Sequence, residues 1–106
     1  MQYDTPDWTP LEAAIGSEIA DWFMWMFELR LADGSRVHGY KHQTTRRYLH
    51  LTTDGRAFVY RAERYAEVDL AYAIADTFIG WEVADPSQRH LRALQAAVES
   101  ARARAE

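Results

Sequence analysis

Leu29-Arg30-Leu31-Ala32-Asp33-Gly34 and Leu49-His50-Leu51-Thr52-Thr53-Asp54-Gly55 decide the fold. The first is followed by Val37 and Tyr40, the second by Val59 and Tyr60, so each sets an Asp-Gly pair between hydrophobic segments. Asp-Gly flanked by alternating apolar residues marks a β-hairpin, because glycine accepts the positive φ that such turns need. Two hairpins in succession predict a four-stranded antiparallel meander.

Working outward, Phe23, Trp25, Phe27, Leu29 and Leu31 alternate with Trp22, Met24, Met26, Glu28 and Arg30, the period of two of a pleated strand. The first set is wholly apolar and is the expected core face. A three-residue loop at Ala32-Asp33-Gly34, with glycine left-handed, sets Leu31 facing Ser35. Leu29 then opposes Val37 and Phe27 opposes Gly39 inside, while Glu28 meets His38, Met26 meets Tyr40 and Met24 meets His42 outside. Treating Thr53-Asp54-Gly55 likewise puts Leu51 against Ala57 and Leu49 against Val59 inside, with His50 meeting Phe58 and Tyr48 meeting Tyr60 outside. A two-residue loop would shift each register by one. The three-residue form keeps like residues together in both hairpins.

Upstream, residues 1–8 read as a loose or partly docked tail. Thr9-Pro10-Leu11-Glu12 reads as a helix start, with Thr at the N-cap and Pro at the first helical position. Gly16 and Ser17 keep that helix short, and the strand pattern begins from Glu18. Downstream, Tyr65 to Val68 either extends the sheet or leads into the next helix. Asp69 caps a helix over Leu70 to Ile79 that ends at Gly80, and Asp85-Pro86-Ser87-Gln88 starts a last helix whose end frays. The expected fold is one α+β domain over residues 1–106, a meander with a short N-terminal helix and two C-terminal helices packed on one face.

Composition bounds the function. The chain has 106 residues, enough for one core. No apolar run approaches the ~20 residues of a membrane span, and the first residues do not read as the charged-then-apolar pattern of a signal peptide. With no cysteine there is no disulfide framework and no thiolate site, and a cytoplasmic location is the default. Eleven Arg against one Lys, with abundant Ala, is the usage of a GC-rich bacterial genome. The net charge of −4 argues against a dedicated nucleic-acid binder, although the stretch from Arg30 to Arg64 carries eight basic and three acidic residues.

Candidate chemistry gathers on the expected outer face. His38 and His42 stand four apart in a strand, where ~13 Å separates them, too far for one ion. His50 in the neighbouring strand offers either a cross-strand partner, but no Cys or spaced carboxylate completes a metal set, and none is expected. No nucleophile elbow, phosphate-cradling loop or dinucleotide fingerprint is present, so no cofactor is expected. Glu28 opposite His38 is the most enzyme-like contact, and a salt-bridged structural role explains it better. The face itself, with Trp22, Met24, Met26 and Phe58 beside the Tyr and His side chains, exceeds the apolar patch that monomers tolerate. It is a second small core, a protein interface or a ligand surface. The favoured function is a small interaction or binding module, homodimeric or with a protein partner. Tyr40, Tyr48 and Tyr60 would form its floor, His38, His42 and His50 its polar contacts, and Arg46 or Arg47 an anion contact. The alternative is a single-stranded nucleic-acid-binding module on the same basic, aromatic sheet.

Overall fold

The computed structural model describes residues 5–79 and, further on, Gln95, Ala96, Val98, Glu99, Arg102 and Ala103. Helix α1 (Thr9–Ala20) leads into strands β1 (Phe23–Arg30), β2 (Arg36–His42), β3 (Tyr48–Thr52), β4 (Ala57–Arg61) and β5 (Arg64–Val68), followed by α2 (Leu70–Thr77). All five strands form one antiparallel meander in chain order, which makes the fold α+β. The sheet thus has a fifth strand beyond the four expected. The six residues described from Gln95 onward are helical, and the rest of the last expected helix lies outside the described residues. Among the described residues no helix is long and apolar enough to cross a membrane.

Both Asp-Gly turns take the three-residue form. Leu31 N–H donates to the Ser35 carbonyl at 2.8 Å with Gly34 at φ 90°, and Thr52 N–H donates to the Arg56 carbonyl at 2.9 Å with Gly55 at φ 88°. Leu29↔Val37, Phe27↔Gly39, Glu28↔His38, His50↔Phe58 and Leu51↔Ala57 accordingly pair as the spacing predicts. Arg56 ties the two turns together, with its Nε 3.1 Å from both Asp54 oxygens and its Nη2 donating to the Ser35 hydroxyl at 2.6 Å.

The faces, however, are exchanged in two places. A β-bulge between Trp25 and Phe27 sets Trp25 against Tyr40 and Phe23 against His42, so Met26 and Met24 do not meet those residues. A bulge opposes two residues to one and reverses the alternation on one side of it. The connection between β2 and β3 then aligns Tyr40 with Leu49 and His38 with Leu51. The helix-covered face therefore carries Phe23, Trp25, His38, Tyr40, His42, Leu49 and Leu51. Phe27, Leu29, Val37 and Gly39, expected in the main core, lie on the opposite face with Tyr48, His50, Phe58 and Tyr60.

Among the described residues, helices cover the first of these faces. Leu11, Ile15 and Ile19 of α1 and Ala71 and Ile74 of α2, with Phe78 just past its end, join Phe23, Tyr40, Leu49 and Leu51 in one buried cluster. Each fully buried aliphatic or aromatic side chain there contributes about 1.5–3 kcal/mol relative to exposure. Helix α1 starts at Thr9, whose N–H donates to Asp7 Oδ1 at 3.0 Å, so Thr9 is the first helical residue and not the cap. Gly16, at φ 84° and ψ 157°, kinks the helix, which resumes for one turn and delays the strand to Phe23. The Asp69 cap of α2 is as expected, its carboxylate accepting from Tyr72 N–H at 3.1 Å.

The fifth strand enters through a two-residue turn, Ala62-Glu63, with φ of 52° and 64°. Both central positions of such a turn need positive φ, which Asn-Gly supplies and Ala-Glu resists. The double substitution Ala62→Asn, Glu63→Gly is expected to stabilise the domain by about 1 kcal/mol. Urea unfolding measures this, and an unchanged or lower midpoint would count against the turn conformation.

Candidate functional site

Three of the expected site residues are structural. His38 is buried, its Nδ1 accepting from the Trp25 indole N–H at 3.1 Å and its Nε2 lying 3.9 Å from Asp7 Oδ2. Tyr40 is fully buried and donates its hydroxyl to the Asp7 carbonyl at 2.5 Å. That bond, with Trp8 against the Tyr40 ring at 5.9 Å, holds the chain just before α1 onto the sheet. His42 accepts at Nδ1 from the amides of Thr44 (3.0 Å) and Thr45 (3.1 Å), and its ring sits edge-on to Phe23 and Phe78. Burial pulls its pKa from 6.5 down to about 4, so the ring is neutral and folds the β2–β3 connection around itself. Glu28 meets Arg36 at 3.6 Å, and no acid–base pair with His38 forms. His38 and His42 lie on the face opposite His50, which rules out the cross-strand histidine pair.

Of the other five candidates, Arg47, Tyr48, His50 and Tyr60 stay near one another. On the second face the Phe27 ring lies flat on Gly39, where an added Cβ would sit 2.4 Å from the ring, so only glycine admits this approach. From Phe27 the rings continue: Tyr48 at 6.1 Å, His50 at 5.8 Å, Tyr48 on His50 at 5.7 Å with 10° between planes, His50 to Tyr65 at 5.1 Å and Tyr65 to Tyr60 at 4.8 Å. Beneath them the β3–β4 ladder holds only His50↔Phe58 and Leu51↔Ala57, whereas β2–β3 and β4–β5 each pair over five positions. Tyr48 and Leu49 thus lack the Tyr60 and Val59 partners that the simple hairpin predicts, and the strands part.

A cavity of about 430 Å³ opens at that parting. Its aromatic lining is Phe27, Tyr48, His50, Tyr60 and Tyr65, and Arg47, Val59, Arg61 and Asp76 complete it. The volume lies in the range of ~300–1,000 Å³ typical of small-ligand sites. His50 is 6% exposed, and its Nδ1 is buried with no hydrogen-bond partner among the described residues. Burial lowers its pKa, with the Phe58 backbone drawing weakly the other way. A buried polar atom left unpaired costs about 1–3 kcal/mol.

The end of α2 closes one side of the cavity. The Thr45 hydroxyl donates to the Thr77 carbonyl at 2.7 Å, and Arg47 Nη1 stands 3.8 Å from Asp76 Oδ1. Arg61 Nη2 donates to the Tyr72 hydroxyl at 2.9 Å and also feels the Asp76 charge. Arg46 is exposed in the connecting loop at φ 64° and does not line the cavity. Sequence reasoning missed Phe27, Tyr65, Arg61 and Asp76. Tyr65 becomes visible once Tyr65 to Val68 is taken as a strand, because it then faces Tyr60. Phe27 was hidden by the bulge, and nothing in the sequence places Asp76 beside Arg47.

The fold and cavity together define a small α+β domain with an aromatic cleft between two splayed strands of an antiparallel meander. Compared with protein-family models, curated proteins and solved structures, the chain matches none.

Proposed function

We propose that this domain is a binding module whose ligand seats in the cleft between β3 and β4. The observation that carries the reading is the cavity of about 430 Å³ walled by the rings of Phe27, Tyr48, His50, Tyr60 and Tyr65. The homodimer and single-stranded nucleic-acid readings both needed the β2 histidines and Tyr40 on the same surface as Tyr48 and Tyr60. With His38, Tyr40 and His42 buried under the helices, what remains is a concave site of ligand size and not a flat, extended face. Tyr48 and Tyr60 are 37% and 54% exposed, so they can be replaced without emptying the core.

An NMR titration with single-ring compounds such as phenol tests this. The expected result is shifts confined to Tyr48, His50, Tyr60 and Tyr65, lost in a folded Tyr48→Ser, Tyr60→Ser double variant. Shifts scattered over the surface, or undiminished in that variant, would refute the reading.

A further inference from the structure

The lining of the cleft combines two chemistries, and the combination specifies a ligand class. One is a set of π-faces: Tyr48 stacked on His50, and Tyr60 beside Tyr65 with more than half of its surface exposed. Such faces take a flat ring, and base–aromatic or ring–aromatic stacking on exposed tyrosines is tolerant of ring identity. The other is a pair of guanidinium groups beside one carboxylate. Asp76 lies 3.8 Å from Arg47 Nη1, too long for a hydrogen bond, and among the described residues the one side-chain hydrogen bond of Arg61 is to a neutral hydroxyl. A guanidinium carries five N–H donors, so both arginines keep donors to offer, and the charged lining residues among those described sum to +1. Arginine forks match carboxylate and phosphate oxygens in a bidentate manner.

Resting on the binding-module reading, we infer that the cleft takes a small molecule made of one planar aromatic or heteroaromatic ring bearing a carboxylate or phosphate. The ring lies against Tyr48 and Tyr60, and the anion meets Arg47 and Arg61. The cavity volume argues for a free small molecule over a nucleic-acid strand, which would need a continuous groove.

Calorimetric titration with five probes separates the outcomes: benzoate and uridine 5′-monophosphate (ring with anion), benzyl alcohol and uridine (ring alone), and inorganic phosphate (anion alone). The expected result is binding of a ring-plus-anion probe at least about tenfold tighter than of either part. Arg47→Gln and Arg61→Gln should each erase most of that advantage and leave the neutral rings unaffected, whereas Tyr60→Ser should weaken both kinds of ring. Equal affinity for neutral and anionic rings overturns the charge assignment while leaving the binding module intact. Absence of ring binding overturns both. A uridylate oligomer that binds more tightly with length, and loses affinity steeply with salt, overturns the small-molecule assignment in favour of a strand.

Discussion

Lowering the pH from 6.5 to 4 is expected to remove about 3 kcal/mol of stability through His42 alone. The unfolded chain presents an ordinary histidine, which takes up a proton as pH falls below 6.5. In the native state burial holds the same ring neutral down to about pH 4. Across that window the unfolded state binds more protons than the native state, so stability falls as pH falls. Above pH 6.5 the contribution is fully present, and below about pH 4 no more is lost. His50 is shifted in the same direction by its own burial and adds to the slope. The depressed carboxylates of Asp7, Asp33 and Asp54 act in a separate, more acidic window, because their ordinary value is already 3.8.

Protonation also has a geometric consequence. A charged imidazole carries hydrogen on both nitrogens, so Nδ1 can no longer accept from Thr44 and Thr45. The turn loosens, and with it the loop that sets Arg47 in the lining of the cleft. His42→Asn isolates the effect. Its side-chain oxygen can accept from the amides two and three residues on, as in an Asx turn, but it does not titrate. The smaller side chain between Phe23 and Phe78 lowers stability at every pH, whereas the drop between pH 6.5 and 4 should shrink to what His50 supplies. Urea unfolding at half-unit pH intervals reads both quantities. An undiminished drop in the variant would show that another group carries it.

Each Asp-Gly hairpin was legible in the sequence because its turn chemistry fixes its register locally. The joint between the hairpins was not. Gln43-Thr44-Thr45-Arg46 contains no glycine, and the left-handed residue there is Arg46, a poor signal for a turn. One residue of slip at such a joint flips every side chain of one hairpin relative to the other. The fifth strand was obscured for the same reason, since Ala62-Glu63 carries two positive φ angles on residues that do not advertise them. The bulge in β1 adds a second inversion, because Trp25-Met26-Phe27 looks like uninterrupted alternation. Correct pairs therefore combined into incorrect faces, and the aromatic residues read as one surface are divided between a core and a cleft. The cleft depends on that division: with Phe27 moved to the second face, its ring can close over Gly39 and reach Tyr48 and His50.

The division also makes Tyr40 and Tyr60 behave oppositely, although each follows an Asp-Gly turn on the second strand of its hairpin. Tyr40→Ser is expected to cost about 3–5 kcal/mol, the range for deleting a buried aromatic ring. The ring is fully buried among α1 residues, and its hydroxyl is the tie to Asp7. Burial also pushes the phenol pKa well above its ordinary value, which keeps the hydroxyl a donor at any working pH. Small domains have about 5–15 kcal/mol in total, so this variant should be near or past unfolding at room temperature. Tyr40→Phe keeps the ring and should lose only about 1 kcal/mol, the net value of one hydrogen bond. Tyr60→Ser, at a side chain 54% exposed, should cost less than about 1 kcal/mol while removing the rim of the cleft. Thermal and urea unfolding of the three variants reads the orientation of β2 directly. In an unbulged sheet with the hairpins aligned by simple alternation, Tyr40 and Tyr60 would share the outer face and their serine variants would cost similar amounts. A large gap between them therefore locates Tyr40 under the helices, and with it the bulge and the slipped joint that separate core from cleft.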